Sequence, residues 1–323
     1  MENEKLLKEY NYIYYFQIII IFITTIMSIL FFYFLFNFKI IMTLVFLILL
    51  ILIGLYLKNL NYIERLKEYY ISYILCLIFS YSLIRILYTN DFCIQIHIYY
   101  ISLVIYHFAE YFSVLIYHFN NLTYHSFLID QSKEWMITTG ISFIEFYIEN
   151  FFFHKYKCNL FFIIIGVICL IIGHIFRIGA LFTGKKNFTH LISYKKKNDH
   201  VLVTNGIYSI SRHPSYFGFY LWSMGTEIIT FNPICFIVYL IVLFKFFDDR
   251  IKIEEELLIE FFGQEYIDYR NKVPILIPFI KLDEIIIKNS LTKHKFNKEI
   301  KKNLYKNVHE NENDDDDGID YEE

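Results

Sequence analysis

The sequence predicts an all-α, polytopic membrane protein with about eight transmembrane helices and a C-terminal cytosolic helical cap. Three observations lead there. Hydrophobic residues make up 56% of 323 positions, above the composition of ordinary soluble domains. Apolar stretches of roughly 18 residues or more recur from about Tyr12 onward, each long enough to cross a ~30 Å hydrocarbon core as a helix. Lysine and arginine also concentrate in alternate connections, as the positive-inside rule requires of a chain that crosses repeatedly.

Taken in order, the expected spans are 12–36, 40–57, 70–88, 97–118, 135–153, 160–182, 215–231 and 234–247. The first shows no small-residue cleavage site before the second, so it reads as a retained span rather than a signal peptide. The last two are joined by a tight turn at Asn232 and Pro233, and 234–247 is short enough to be half of a helical hairpin. Basic residues fall at Lys5 and Lys8, Lys58 to Lys67, Lys133, Lys185 to Lys197, and after Ile280; the opposite connections hold little beyond Lys39, Lys155 and Lys157. Both termini are therefore expected in the cytosol, where Asn121-Leu122-Thr123 and Asn187-Phe188-Thr189 escape glycosylation. The chain divides into N-terminal helices at 1–104, a core at 105–281 that joins helices to cytosolic segments, and a charged tail at 282–323. That tail, lysine-rich and then acidic, has too little apolar content to build a core and is expected to be disordered.

Charge and cysteine usage exclude several classes. Neither charged block has the pattern of a nucleic-acid reader. The five cysteines include no C-x-x-C pair and Cys76 and Cys169 fall inside spans, so neither a disulfide framework nor a metal site is indicated. A transporter or channel calls for polar residues along several spans, whereas the polar motifs here gather at one end of the bundle.

Two stretches carry chemistry. In the first, Asn205-Gly206 signals a turn, Ser211 is a candidate helix cap, and Pro214 suits the first turn of the helix entering the seventh span. The unpaired N–H groups of that helix start favour an anionic ligand group, with His213, Ser215 and Tyr216 as further donors. The alternative is an interfacial loop anchored by Tyr and Arg. The second stretch follows the eighth span. Arg250 and Glu254 are four apart and share one helix face, as a ligand-binding pair or as a solvated salt bridge, and Gly263 is placed to end the helix. Among intramembrane polar groups, His107 and Glu110 read as a hydrogen-bonded structural pair, with a functional role for these ionisable groups as the alternative. Glu145, Glu149, Arg85 and Arg177 read as packing or interface groups, and His97 and His174 as structural.

Together these residues resemble the isoprenylcysteine carboxyl methyltransferase family. The resemblance runs through His200-x-Leu202-Val203-Thr204-x-Gly206-x-Tyr208, Arg212-His213-Pro214-Ser215-Tyr216-x-Gly218 and Asn232-Pro233-Ile234-Cys235. It continues through Arg250, Glu254-Glu255, Phe261-Phe262-Gly263, Glu265-Tyr266, Val273-Pro274 and Pro278-Phe279-Ile280. A weaker likeness reaches back to Glu110-Tyr111, Glu145, Arg177 and Asn187-Phe188-x-His190, so it covers about 105–281. Ser193 is a departure, since relatives often place Gln there. The resemblance implies S-adenosylmethionine as cofactor, contacted by His200, Val201, Leu202, Val203, Tyr208, His213, Pro214, Ser215, Tyr216 and Glu254. It implies Arg250 at the substrate, with Arg250 and Glu254 as the catalytic pair and no metal. The substrates it implies are prenylated proteins ending in S-isoprenylcysteine, met at the bilayer surface of the endoplasmic reticulum. Alternatives on the same residues are a phospholipid or other small-lipid methyltransferase, a membrane sterol reductase and a non-enzymatic membrane transporter; a carboxylate-binding Arg250 separates the first from the family reading, and binding of S-adenosylmethionine separates the last.

Overall fold

The computed structural model describes residues 18–19, 21–30, 63–88, 94–130, 132–196, 200–280 and parts of 287–299. Among the described residues the chain is helical, with short 3-10 turns and no strand. We number the helices α1 (Ile21–Leu30), α2 (Ile63–Tyr88), α3 (Ile94–Tyr117), α4 (Lys133–Lys157), α5 (Leu160–Gly184), α6 (Pro214–Thr230), α7 (Pro233–Phe262) and α8 (Gln264–Lys272). Three described helices are long and apolar enough to cross a membrane, at Lys67–Tyr88, Ile94–Tyr117 and Leu160–Asn187. The span read at 40–57 lies outside the described residues, and of 12–36 only part is described, as α1.

α5 and α6 form the tightest pair, and glycine is the reason. Contacts at Gly166 with Ile229, Gly173 with Trp222 and Arg177 with Gly218 run in opposite directions along the two helices, so they pack antiparallel. A Cβ on Gly173 would lie 2.7 Å from the Trp222 backbone nitrogen, and one on Gly218 2.5 Å from that of Arg177. Only bare backbone permits this approach. In lipid, where apolar burial between helices gains little, such contact and interhelical hydrogen bonds supply the association. Ser102 on α3 provides one such link, accepting from Trp222 Nε1 at 2.9 Å and meeting His174 Nε2 at 2.8 Å.

The far end of the bundle, at the α6–α7 turn, is clasped by charge. Lys157, buried at the end of α4, donates to the carbonyls of Thr230 and Phe231 at 3.1 and 2.9 Å and pairs with Glu149 at 2.7 Å. Glu145 accepts from the backbone N–H groups of Ile234 and Cys235, each at 2.8 Å. These side chains satisfy orphan groups at the C-terminus of one helix and the N-terminus of the next. Glu145 and Glu149, read as packing groups, thus fix the turn expected at Asn232 and Pro233.

Three readings are corrected here. The eighth span and the charged stretch after it are one 30-residue helix, α7, ended at Gly263 with φ 59°. A 30-residue helix is longer than an apolar layer requires, so the span and the charged cap are parts of one element. Ser211 does not cap α6: His213 occupies that position with Pro214 at the first turn, and Ser211 is buried two residues earlier. The charged stretch after 281 contains helical turns at 287–293, and Ile287 and Leu291 pack against the apolar cluster around Tyr266.

The segment after α3 folds back along it. Phe127 is fully buried, stacks on Tyr111 at 4.1 Å, and its carbonyl meets His107 Nδ1 at 2.7 Å. His107 lies ten residues before the end of α3, about 15 Å along its axis. Irregular backbone is tolerated at such depth only where protein covers it or it lines a cavity.

Candidate functional site

The end of the bundle opposite the clasp holds a cavity of about 700 Å3, walled by α6, α7, the folded-back segment, the start of α4 and the stretches 187–193 and 200–208. The residues expected to touch cofactor or substrate all line it. His200, Val201, Leu202, Val203 and Tyr208 come from the loop between α5 and α6. His213, Pro214, Ser215 and Tyr216 come from the first turn of α6, and Arg250 and Glu254 from the extension of α7; Ser193 lines it as well.

The two charged stretches meet through Tyr216. Arg250 Nε donates to the Tyr216 hydroxyl at 2.6 Å, Tyr216 donates to Glu254, and Arg250 Nε stands 3.5 Å from Glu254 Oε1. A further Arg250 nitrogen donates to the carbonyl of His190. His213 stacks on Tyr216 with centroids 5.7 Å apart and planes 5° off parallel, and its Nδ1 is 3.7 Å from Glu254 Oε2. The salt bridge is therefore one edge of a connected group rather than a solvated pair.

Glu255 organises the layer behind. Its carboxylate is enclosed and accepts from Arg212 Nε at 3.0 Å, His213 Nε2 at 2.8 Å, the Tyr266 hydroxyl at 2.6 Å and Arg270 Nε at 3.1 Å. Burial by itself pulls the pKa of His213 down, but hydrogen bonds and charge from Glu254 and Glu255 outweigh it and hold it at about 9. Burial raises that of Glu255, and the bonds and charges of His213 and Arg212 reverse this, leaving it well below the usual carboxylate range. His213 is thus a cation at neutral pH, locked to an ionised Glu255.

A third polar group was not assembled from the sequence. Glu110, wholly buried, accepts from Arg177 Nε at 2.5 Å, and Arg177 Nη1 donates to Ser215 Oγ at 2.6 Å. Glu110 therefore pairs with Arg177 instead of His107, and Arg177, read as a packing group, lies on the cavity wall. The other Glu110 oxygen stands 3.5 Å from His190 Nε2, and burial pushes the His190 pKa down to about 4, so the ring is neutral. The segment carrying His190 is tied further along, where Lys196 donates to the Phe261 carbonyl at 2.7 Å.

Away from these charges the cavity turns apolar. Tyr239, Val242, Leu243, Phe246 and Phe247 of α7 face Phe219 of α6 and Trp135 of α4. Val242 and Phe246 are 53% and 50% exposed on the outer surface of a bundle meant for lipid, so this arm reaches the bundle's side.

A helical bundle with helices long and apolar enough to cross a membrane, holding at one end a cavity with a charged head and an apolar arm, defines an intramembrane protein with room for a polar group beside an apolar one. The family profile described as "Isoprenylcysteine carboxyl methyltransferase (ICMT) family" matches residues 165–260. The protein-S-isoprenylcysteine O-methyltransferase of Saccharomyces cerevisiae is 40% identical over 192 residues, covering 57% of this chain and 80% of that protein. Its counterpart in Dictyostelium discoideum is 45% identical over 184 residues, covering 57% and 77%. A solved structure of the eukaryotic intramembrane Ras methyltransferase ICMT superposes with a TM-score of 0.73 at 32% identity, covering 82% of this chain and 98% of that one. The chain belongs to the isoprenylcysteine carboxyl methyltransferase family.

Proposed function

We propose that this chain is a protein-S-isoprenylcysteine O-methyltransferase that moves the methyl group of S-adenosylmethionine to the C-terminal carboxylate of an S-prenylated cysteine on a processed CaaX-type protein. The observation that carries this reading is the junction of Arg250, Glu254, Tyr216 and His213 with the apolar arm inside one cavity. We place the enzyme in the endoplasmic reticulum membrane with about eight spans and both termini in the cytosol, so that the charged head of the cavity faces cytosol. The cofactor enters from that side, and the prenyl group enters sideways from lipid between α4 and α7.

The donor set fits S-adenosylmethionine. Glu254 is a carboxylate for its ammonium group, and the first turn of α6 offers free N–H groups to its carboxylate. His200, edge-on to Phe261 and Phe262 at 6.0 and 5.5 Å, gives an aromatic wall of the kind a flat base packs against. That cofactor supplies an electrophilic methyl on a sulfonium. The acceptor carboxylate, with a pKa near 3.5, is already ionised at neutral pH, so no general base is needed. What remains for the protein is alignment and exclusion of water. Tyr216 and the His190 carbonyl fix the plane of the Arg250 guanidinium by taking two of its donors, and the remaining fork holds a carboxylate. Phe246 and Phe247, one turn below, keep water from that junction. The arm gives the isoprenoid an apolar slot, each buried methylene contributing roughly 0.8 kcal/mol.

Membranes containing the chain are expected to transfer label from S-adenosylmethionine to a farnesylcysteine acceptor and not to its carboxyl amide. Arg250→Ala is expected to abolish transfer, by a factor of roughly a hundred or more, with protein abundance unchanged. Equal labelling of the amide sinks the carboxylate assignment and points to a lipid amine or another nucleophile. A chain that binds no S-adenosylmethionine is not a methyltransferase.

A further inference from the structure

Residues 188–196, which form no helix or strand, cover one side of the charged head of the cavity. Phe188 to Ser193 all line it, and so do Glu254, Leu257 and Leu258 on the facing extension of α7. This strap is tied to α7 twice. The His190 carbonyl accepts from Arg250, and Lys196 Nζ donates to the Phe261 carbonyl at 2.7 Å. The eleven helix residues from Arg250 to Phe261 rise about 16 Å, and the six from His190 to Lys196 reach about 20 Å when extended. The strap therefore runs alongside α7, with the polar end of the cavity between them.

The two ties differ in kind. Around His190 the bundle itself holds the strap: His118 Nε2 donates to the Phe188 carbonyl at 3.1 Å, the Arg177 guanidinium lies 5.9 Å over the Phe188 ring, and His190 Nε2 stands 3.5 Å from Glu110. Glu110 and Arg177 are buried, so these contacts are shielded from water. Residues 191–195 make no hydrogen bond to another element among the described residues; Ser193 Oγ donates within the strap, to the Lys195 carbonyl at 3.1 Å. Leu191 and Tyr194 are 80% and 68% exposed. The far end is gripped by Lys196, an exposed side chain. Its target is the C-terminus of α7, where the last carbonyls lack intrahelical partners and the helix dipole favours a cation. The same ammonium lies 4.2 Å over the Phe262 ring.

We infer that Lys196 is a positioning residue, a latch that holds the strap over the cofactor end of the cavity and releases it for cofactor exchange, while the His190 end stays fixed as a hinge. Phe261 and Phe262 line the cavity beside His200, so release of Lys196 opens the wall against which the flat base of the cofactor packs. Arg250, bonded at the hinge, keeps its orientation. Cofactor exchange thus leaves the acceptor carboxylate's site undisturbed. The identity of the exchanged ligand rests on the methyltransferase reading; the latch and hinge rest on the contacts alone.

The test uses the full chain, purified in phosphatidylcholine nanodiscs, and compares Lys196→Met with Lys196→Arg and Lys195→Met. In Lys196→Met the KM for S-adenosylmethionine and the inhibition constant of S-adenosylhomocysteine are expected to rise about ten-fold, from the joint loss of a helix-terminal cation and a cation–π contact. The KM for N-acetyl-S-farnesylcysteine stays at its wild-type value. Lys196→Arg, which keeps the charge, restores wild-type constants, and Lys195→Met, one residue outside the latch, never loses them. Limited trypsin digestion reads the strap directly. Cleavage after Lys195 is expected to slow when S-adenosylmethionine is bound and to quicken in Lys196→Met, while cleavage after Lys186, on the hinge side, does neither. KM values that rise alike for both ligands, or for neither, overturn the latch, as does digestion that changes equally at Lys186 and Lys195. A lower melting temperature without those changes reduces Lys196 to a cap on α7 and overturns it too. A wild type that binds no S-adenosylmethionine removes the methyltransferase reading instead, and the digestion of Lys196→Met against Lys196→Arg still decides the latch.

Discussion

Glu255 shares its two oxygens among Arg212, His213, Arg270 and Tyr266 while wholly shielded from solvent. Replacing it with Gln leaves buried cations facing a neutral amide, and removing one partner of such a group costs about 3–5 kcal/mol. Glu255→Gln is thus expected to lower the melting temperature in detergent and the abundance in membranes, whereas Arg250→Ala spares both. The same cluster sets a pH dependence. His213 holds its proton to about 9 rather than near 6.5. Its contribution is complete below the ordinary histidine value and disappears as pH rises through about 9. Wild-type stability is expected to decline between pH 7 and 10 with a steeper slope than His213→Gln shows; parallel slopes would argue against a protonated His213. The depressed carboxyl of Glu255 loses its own contribution only in acid. The sequence drew attention to Glu254, at four residues from Arg250, and passed over its neighbour. A signal was present: Ile251, Glu255 and Ile259 recur every fourth position on the buried stripe of α7. A carboxylate on that stripe needs partners, and the fold supplies them in Arg212 and Arg270.

At the scale of elements, the α5–α6 pair decides where the site's first turn sits. Gly218, one turn beyond Pro214, brings the α6 backbone against Arg177, which in turn binds Ser215 and Glu110. Gly218→Val forces the helices apart, since its Cβ would sit 2.5 Å from a backbone nitrogen that cannot swing aside. The expected loss is about 1–3 kcal/mol of stability, the usual range for overpacking, together with weaker S-adenosylmethionine binding; unaltered binding and melting would mean the helix pair does not set the turn. The expected spans at 70–88, 97–118, 135–153, 160–182 and 215–231 coincide with α2, α3, α4, α5 and α6, two of them overrunning the helix by one residue, because apolar length is written locally. The continuity of α7 was harder to see. Its second half is charged, so hydropathy ended the span near Phe247 while helical hydrogen bonding ran on to Phe262.

Among the described residues, two groups of charges stand at opposite ends of the bundle. At one end Lys157, Glu145 and Glu149 clasp the α6–α7 turn; at the other, the cavity gathers Arg250, Glu254, Arg212, His213 and Arg177. With the cavity end in the cytosol, Asn121 and Asn187 are expected to carry no glycan, and a glycosidase-sensitive mass shift at either would invert the proposed topology. The order of the apolar segments from residue 70 onward, the turn at Asn232 and Pro233 and the identity of the motif residues were available from the amino-acid sequence. Helix formation in lipid is local, since each segment must satisfy its own backbone groups, and the motifs are short runs that read directly. Which polar groups meet was settled only in three dimensions. Glu110 and Arg177, 67 positions apart, and Trp135 and Tyr239, on different helices, have no mark on their local sequence that names the partner. Their meeting follows from helix crossings that bare glycine contacts and buried ion pairs determine jointly, and no single segment contains that information.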